Sequence, residues 1–354
     1  MHRLGQEVAL LSVATAVPPY ALEQSDVAQR VRAQFSRSAV VQRLMPVFTT
    51  TGIRRRYSCV PIEWYYEPRS WPQRNAVYLE SAQTLLQEAG AQALARAGRT
   101  AADVGAVVVV STTGIATPSL DARLLKPMGF APTTARLPIF GLGCVGGAVG
   151  LARAAAMAQT MPGRAVLLLV VELCALWFRR DDLGKSNIVA TALFGDGAAA
   201  AVLEAGADGP RVVAYGEHTF DDSLDVMGWD VADDGLRAIF SRDIPNLIET
   251  KLQAVLDDYL GRSQLTRADV NTFLSHPGGT KVLDALEHAF GIETGALVDS
   301  RAILAEYGNM SAVTLLFVLE RALREGALAN DRWKRALLSA MGPGFTAAFV
   351  TLER

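Results

Sequence analysis

A five-residue pattern occurs twice in this 354-residue chain, as TAADV from Thr100 and as TRADV from Thr266. Each copy follows a helical stretch and runs into a strand that ends in polar and glycine residues, VGAVVVVSTTG in one case and NTFLSHPGG in the other. Asp103 and Asp269 fall in the turn between helix and strand. Downstream, a glycine-containing turn leads into another helix in both places, GCVGGAVGLARAAAMAQ and YGNMSAVTLLFVLERAL. Cys144 comes 40 positions after Val104, and Asn309 comes 39 after Val270. A matched pattern with matched spacing reads as a duplication. It predicts two related halves, 1–207 and 208–354, whose helix starts at Cys144 and Asn309 are equivalent and can meet near a pseudo-twofold axis.

The strands set the fold class. VGAVVVVS and AVLLLVV are continuous aliphatic runs, the signature of strands buried on both faces and covered by helices. Helical stretches such as YLESAQTLLQEAGAQALARAG alternate with them, which says α/β. The most apolar run, Ala165 to Phe178, is too short to span a bilayer and contains Glu172, so it reads as a buried strand. A formal net charge of −2 gives no electrostatic case for nucleic acid or an anionic membrane. Three cysteines make no disulfide framework, and the start lacks a secretory signal pattern, so a cytoplasmic protein is expected.

Chemistry is expected where these elements end. His276, in LSHPGGTK, lies at the C-terminal end of a second-half strand, where α/β sheets usually carry function. A cysteine, a histidine and an asparagine thus converge from three segments. A thiolate is the nucleophile, and a helix N-terminus and a nearby imidazolium would both stabilise it. Gly143, Gly146 and Gly147 would let backbone N–H groups and a bulky acyl group approach the sulfur. His276 and Asn309 would donate to a developing oxyanion. Cys59 and Cys174 read as structural. The four histidines are too few and scattered for a metal site.

These residues carry a family likeness. The sequence resembles the type III polyketide synthases, the chalcone synthase-like branch of the thiolase superfamily, in its bacterial form. The motifs are GCVGG (Gly143–Gly147), LFGDGAAA (Leu193–Ala200), HPGGTKV (His276–Val282), YGNMS (Tyr307–Ser311) and GPG (Gly342–Gly344). The resemblance implies a five-layered αβαβα thiolase-like fold working as a homodimer. It implies that Cys144 takes a starter acyl group from coenzyme A, and that His276 and Asn309 stabilise the enolate of decarboxylating malonyl-CoA. Repeated extension then ends in cyclisation to a pyrone, resorcinol or related phenolic. Acyl-CoA and malonyl-CoA are the substrates, with no resident cofactor. Phe194 matches an aromatic gatekeeper, and Thr112, Thr113, Ser311, Pro343 and Gly344 fall on pocket-lining positions.

Several positions depart from the plant pattern. Ala238 stands where plant members carry a second gatekeeper phenylalanine, which should widen the entrance. Trp177 replaces a small threonine beside the cysteine and should remove cavity volume. Thr117 stands where plants place a methionine that crosses the dimer interface. The expectation is a reshaped pocket with an aliphatic starter. Only Arg43 matches the three basic residues that plant members use on coenzyme A, and the run Arg54, Arg55, Arg56 reads as solvated surface. The starter could therefore arrive on coenzyme A held differently or on an acyl carrier protein. The aromatic segment CVPIEWYYEPRSW (Cys59 to Trp71) reads as a loop packing its rings on the body. Two alternatives stay open: a ketoacyl synthase-like enzyme making one extension, and a catalytically silent partner subunit of the same fold.

Overall fold

The computed structural model describes residues 7–233, 235–241, 243–330 and 333–354. The strands are β1 (Val8–Ala16), β2 (Tyr20–Glu23), β3 (Arg55–Ser58), β4 (Val104–Val110), β5 (Ala135–Ile139), β6 (Ala165–Leu173), β7 (Asp196–Ala205), β8 (Arg211–Thr219), β9 (Met227–Ala232), β10 (Gly235–Phe240), β11 (Thr272–Ser275), β12 (Arg335–Gly342) and β13 (Thr346–Glu353). The helices are α1 (Gln24–Gln34), α2 (Ala39–Leu44), α3 (Val47–Thr50), α4 (Trp71–Arg96), α5 (Leu120–Leu124), α6 (Gly146–Gln159), α7 (Lys185–Leu193), α8 (Ile244–Leu247), α9 (Gln253–Arg262), α10 (Thr280–Phe290), α11 (Val298–Tyr307) and α12 (Val313–Arg324).

Nine strands form one sheet in the order β11-β12-β13-β8-β1-β7-β6-β4-β5. The two halves mirror each other across the β1–β8 seam: β4-β6-β7-β1 on one side, β11-β12-β13-β8 on the other. In each series the outermost pair is parallel and the inner pairs are antiparallel. The same Thr-x-x-Asp capping box precedes both outer strands. The Thr100 N–H donates to Asp103 at 2.7 Å, and the Thr266 N–H donates to Asp269 at 2.8 Å. The turn between β7 and β8, where the boundary at 207 falls, carries the chain from one series to the other.

Side-chain alternation builds the layers. On β6, Val166, Leu168 and Val170 face α6 and α12, while Leu167, Leu169 and Val171 face α4. All six are fully buried, and each stabilises the fold by about 1.5–3 kcal/mol through its removal from water. Helices α6 and α12 also pack on β12 and β13, whose other face carries α9 and α10. The two halves of the one sheet thus enclose α6 and α12, giving α4, the β4-β6-β7-β1 half, α6 with α12, the β8-β13-β12-β11 half, then α9 with α10, the five layers expected.

Glycines let the central layer close. A Cβ on Gly147 would stand 2.3 Å from the Ala312 carbonyl oxygen, and one on Gly146 would stand 2.8 Å from Val110. The two equivalent helix starts therefore touch. Gly147 thus serves backbone approach between the halves, and Gly146 close packing on β4 of its own half, a use of these glycines beyond the one the sequence argument gave them. No described helix is long and apolar enough to cross a membrane.

Candidate active site

Cys144 sits in the turn that opens α6. Gly143 before it adopts φ +51°, and its N–H donates to Thr112 Oγ1 at 3.0 Å. Pro343 packs directly on Gly143, and the preceding Gly342 leaves room for the Leu142 carbonyl and the Val145 N–H. His276 follows β11, where its backbone N–H donates to the Ser339 carbonyl at 2.8 Å. Asn309 lies between α11 and α12 and bridges to Phe194. Its backbone N–H donates to Leu193 and its carbonyl accepts from Gly195. Its side-chain Oδ1 accepts from the Ser311 N–H at 2.8 Å, which fixes the amide and turns Nδ2 toward the Gly278 carbonyl, 3.4 Å away.

The three side chains predicted from separate segments line one cavity of about 690 Å³. His276 is buried, and neither ring nitrogen has a hydrogen-bond partner among the described residues. Such an orphaned pair is costly unless something else occupies it. A thioester carbonyl or a thiol proton is the kind of partner that fits.

The electrostatics differ from expectation. Burial pushes the Cys144 thiol up to about 12, an effect that nearby Glu172 reinforces and that hydrogen bonding from Ser311 and Asn309 opposes. Burial likewise pushes His276 down to about 4. Desolvation disfavours whichever form is charged. Both shifts favour a neutral thiol and a neutral imidazole, the opposite direction from the imidazolium-stabilised thiolate expected from the sequence.

Glu172 was read in the sequence only as an argument against a membrane span. It is fully buried. One carboxylate oxygen accepts from the Thr112 N–H, the Thr113 N–H and the Thr113 hydroxyl at 2.8–3.0 Å. Burial still holds its pKa up at about 7. Thr112 and Thr113, placed on the pocket wall by resemblance, instead organise this carboxyl group and the Gly143 turn. A lone acid in an otherwise apolar strand was the signal that could have found it.

The other residues singled out in the sequence are spread over the surface and two cavities. Arg43 is exposed on α2 and is not among the cavity-lining residues; the basic side chains there are Lys185 and Lys281. Arg54 and Arg55 are exposed, but Arg56 is 2% exposed and donates to the Thr191 and Phe194 carbonyls. Burial lowers its pKa to about 10. Thr117 is exposed. Ser311, at φ +50°, stands between Asn309 and the Cys144 turn. Gly344, at φ +72°, accepts through its carbonyl from the Ser223 hydroxyl. Trp177 donates from Nε1 to the Thr113 carbonyl at 2.7 Å and packs over Gly235, where a Cβ would lie 2.3 Å from the indole. Trp177, Phe194 and Ala238 line a second opening, not the Cys144 cavity itself. No group of three or more metal-ligating side chains occurs among the described residues.

The chain matches two family descriptions, chalcone and stilbene synthases, N-terminal domain, over residues 3–209, and the C-terminal domain over residues 216–353. It is 39% identical to 1,3,6,8-tetrahydroxynaphthalene synthase of Streptomyces peucetius subsp. caesius, covering 99% of this chain and 94% of that one. It is 29% identical to phloroglucinol synthase of Pseudomonas fluorescens, covering 92% of each. Its fold superposes on the crystal structure of 1,3,6,8-tetrahydroxynaphthalene synthase from Streptomyces coelicolor A3(2), a bacterial type III polyketide synthase. The TM-score is 0.92 at 29% identity, over 98% of this chain and 99% of that one. The chain belongs to the chalcone and stilbene synthase family and is a type III polyketide synthase.

Proposed function

We propose that this enzyme extends an aliphatic acyl-CoA with malonyl-CoA and cyclises the product to an alkylpyrone, resorcinol or related phenolic. One observation carries the reading: Cys144, His276 and Asn309 line a single cavity, with Lys185 and Lys281 among its other residues. The neutral imidazole accepts the Cys144 thiol proton as the sulfur attacks the acyl-CoA carbonyl. Coenzyme A leaves and takes up that proton, and Cys144 holds the acyl group as a thioester. Malonyl-CoA then places its thioester carbonyl against the His276 N–H and the Asn309 Nδ2–H. Its carbon–carbon bond breaks, carbon dioxide departs, and the electron pair becomes an enolate whose oxygen these neutral donors stabilise. The enolate carbon attacks the acyl carbonyl, the carbon–sulfur bond breaks, and the Cys144 thiolate is released for the next transfer from coenzyme A.

The cycle as written consumes only acyl-CoA and malonyl-CoA. A homodimer is part of this proposal, as is a cytoplasmic location. Delivery of the starter by an acyl carrier protein is a variant of it. The names of the relatives favour a second reading, a polyhydroxylated aromatic formed without an aliphatic starter. Mass spectrometry of products from malonyl-CoA and a ladder of acyl-CoA starters, with Cys144→Ala alongside, separates them. Product masses that track the starter support the first reading. One product from malonyl-CoA alone, unchanged across the ladder, supports the second. Cys144→Ala is expected to lower turnover about a thousandfold or more.

A further inference from the structure

Two separate restraints hold Asn309. The Ser311 N–H on Oδ1 sets the rotation of its amide. Its backbone is registered on the segment that follows α7. The Asn309 N–H donates to the Leu193 carbonyl at 2.8 Å, and its own carbonyl accepts from the Gly195 N–H at 3.0 Å. Phe194 and Asn309 thus form a parallel bridge between the two halves. That bridge decides where the amide stands.

Arg56, on β3, touches both partners of the bridge. Its Nη1 donates to the Phe194 carbonyl at 2.8 Å and to the Thr191 carbonyl at 2.5 Å. These carbonyls lie at the C-terminal end of α7, where a helix leaves acceptors open and favours a cation. The stem of Arg56 lies against Gly308, the residue before Asn309. A Cβ on Gly308 would stand 2.7 Å from Arg56 Cγ and 2.8 Å from Cδ. Strand β3 is itself fastened to α11. The Arg54 N–H donates to the Ala305 carbonyl at 2.7 Å, and the Tyr57 and Tyr307 rings stack with centroids 5.6 Å apart.

Such an arrangement is costly. Arg56 is almost wholly buried, and its guanidinium bonds carbonyls rather than a carboxylate. Its Nε has no partner among the described residues. Asp196 and the Tyr65 hydroxyl favour its charge only through space, and burial outweighs both. Departures of this kind from what stability favours concentrate at functional sites.

We propose that Arg56 is a positioning residue for Asn309: by gripping the Phe194 carbonyl and lying against Gly308, it fixes where the Asn309 amide stands in the cavity. This rests on the reading of Asn309 as a donor to the enolate oxygen. Different groups seat the other two reacting side chains. Thr112 and Pro343 hold the Cys144 turn, and Ser339 holds the His276 backbone. Loss of Arg56 therefore falls on one donor.

The test is a double-mutant cycle in the full-length enzyme, with Arg56→Met, Asn309→Ala and the two together. Carbon dioxide release from malonyl-CoA reads decarboxylation, and intact mass after mixing with octanoyl-CoA reads acylation of Cys144. Arg56→Met is expected to slow decarboxylation about thirtyfold, within the loss of about a hundredfold that a misplacement of about 1 Å can cause. Acylation stays within a fewfold. With Asn309 already replaced, Arg56→Met has nothing left to position and changes decarboxylation less than about twofold. Arg56→Lys takes its place in the cycle should Arg56→Met fail to fold. The same loss with and without Asn309, or equal falls in the two steps, would make Arg56 a support of the fold alone and overturn the assignment. Decarboxylation unchanged in Asn309→Ala would instead remove the enolate reading on which the assignment rests.

Discussion

The two halves of this molecule begin alike and end differently. Thr100 and Thr266 cap their turns with φ/ψ of −118°/171° and −119°/170°, and both hold an aspartate through backbone and hydroxyl. The strands beyond them pair in the same order. At the next helix start the likeness stops. The first half presents a thiol in a turn before α6, and the second presents an amide locked between Leu193, Gly195 and Ser311. The lesson is that a duplicated scaffold fixes where two helix starts meet, and leaves each half free to place different chemistry there. On the proposed mechanism, the first half carries the acyl group and the second stabilises the enolate.

That division can be broken by experiment. Asn309→Ala is expected to slow malonyl-CoA decarboxylation about a hundredfold while acylation of Cys144 by the starter stays within a fewfold. Carbon dioxide release and intact mass measure the two steps separately, and an equal fall in both would dissolve the distinction between halves. Next in size is the alkylation of resting Cys144 by iodoacetamide. With the thiol pushed up to about 12, the thiolate fraction is small at neutral pH and rises tenfold per pH unit. The logarithm of the rate is therefore expected to climb with a slope near one from pH 7 to 9. A plateau beginning near pH 7 would restore the thiolate pair the sequence argument expected.

Glu172 sharpens the picture of the first half. Its folded pKa of about 7 lies above its ordinary value of 4.5. Between those pH values the unfolded chain releases the proton and the folded chain keeps it, so stability falls as pH rises through that window. Glu172→Gln removes this decline. Relative to wild type it gains on the order of 3 kcal/mol from pH 4.5 to pH 7, at about 1.4 kcal/mol per pKa unit. Denaturant melts at the two pH values read the difference, and parallel curves would show that the carboxyl titrates normally. The smallest effect tests the scaffold itself. Asp103→Ala and Asp269→Ala should each lower Tm by about 2 °C, and by the same amount. Unequal shifts would mean the two capping boxes are alike in shape but not in what they support.

Much of this was legible in the chain because the signals are local. The capping boxes need only four consecutive residues, and the buried strands announce themselves as unbroken aliphatic runs. Cys144, His276 and Asn309 were found because repetition and motif pointed to strand ends and helix starts. Trp177 and Ala238, expected from the sequence to alter the Cys144 pocket and its entrance, line the second opening instead, beside residues from α1, α7 and the β9–β10 hairpin. Arg56 looked like surface because the two arginines before it are, and only packing against Phe194 and Gly308 shows otherwise.

The sequence by itself determined the α/β layering, the repeated pattern and the candidate reactive groups, because periodicity, caps and residue chemistry are properties of short segments. Only the tertiary structure decided how deeply these groups are buried, where the backbones of the two halves approach, and which side chains line which cavity. Desolvation, backbone approach and cavity shape arise where segments far apart in the chain meet, and no local pattern contains them.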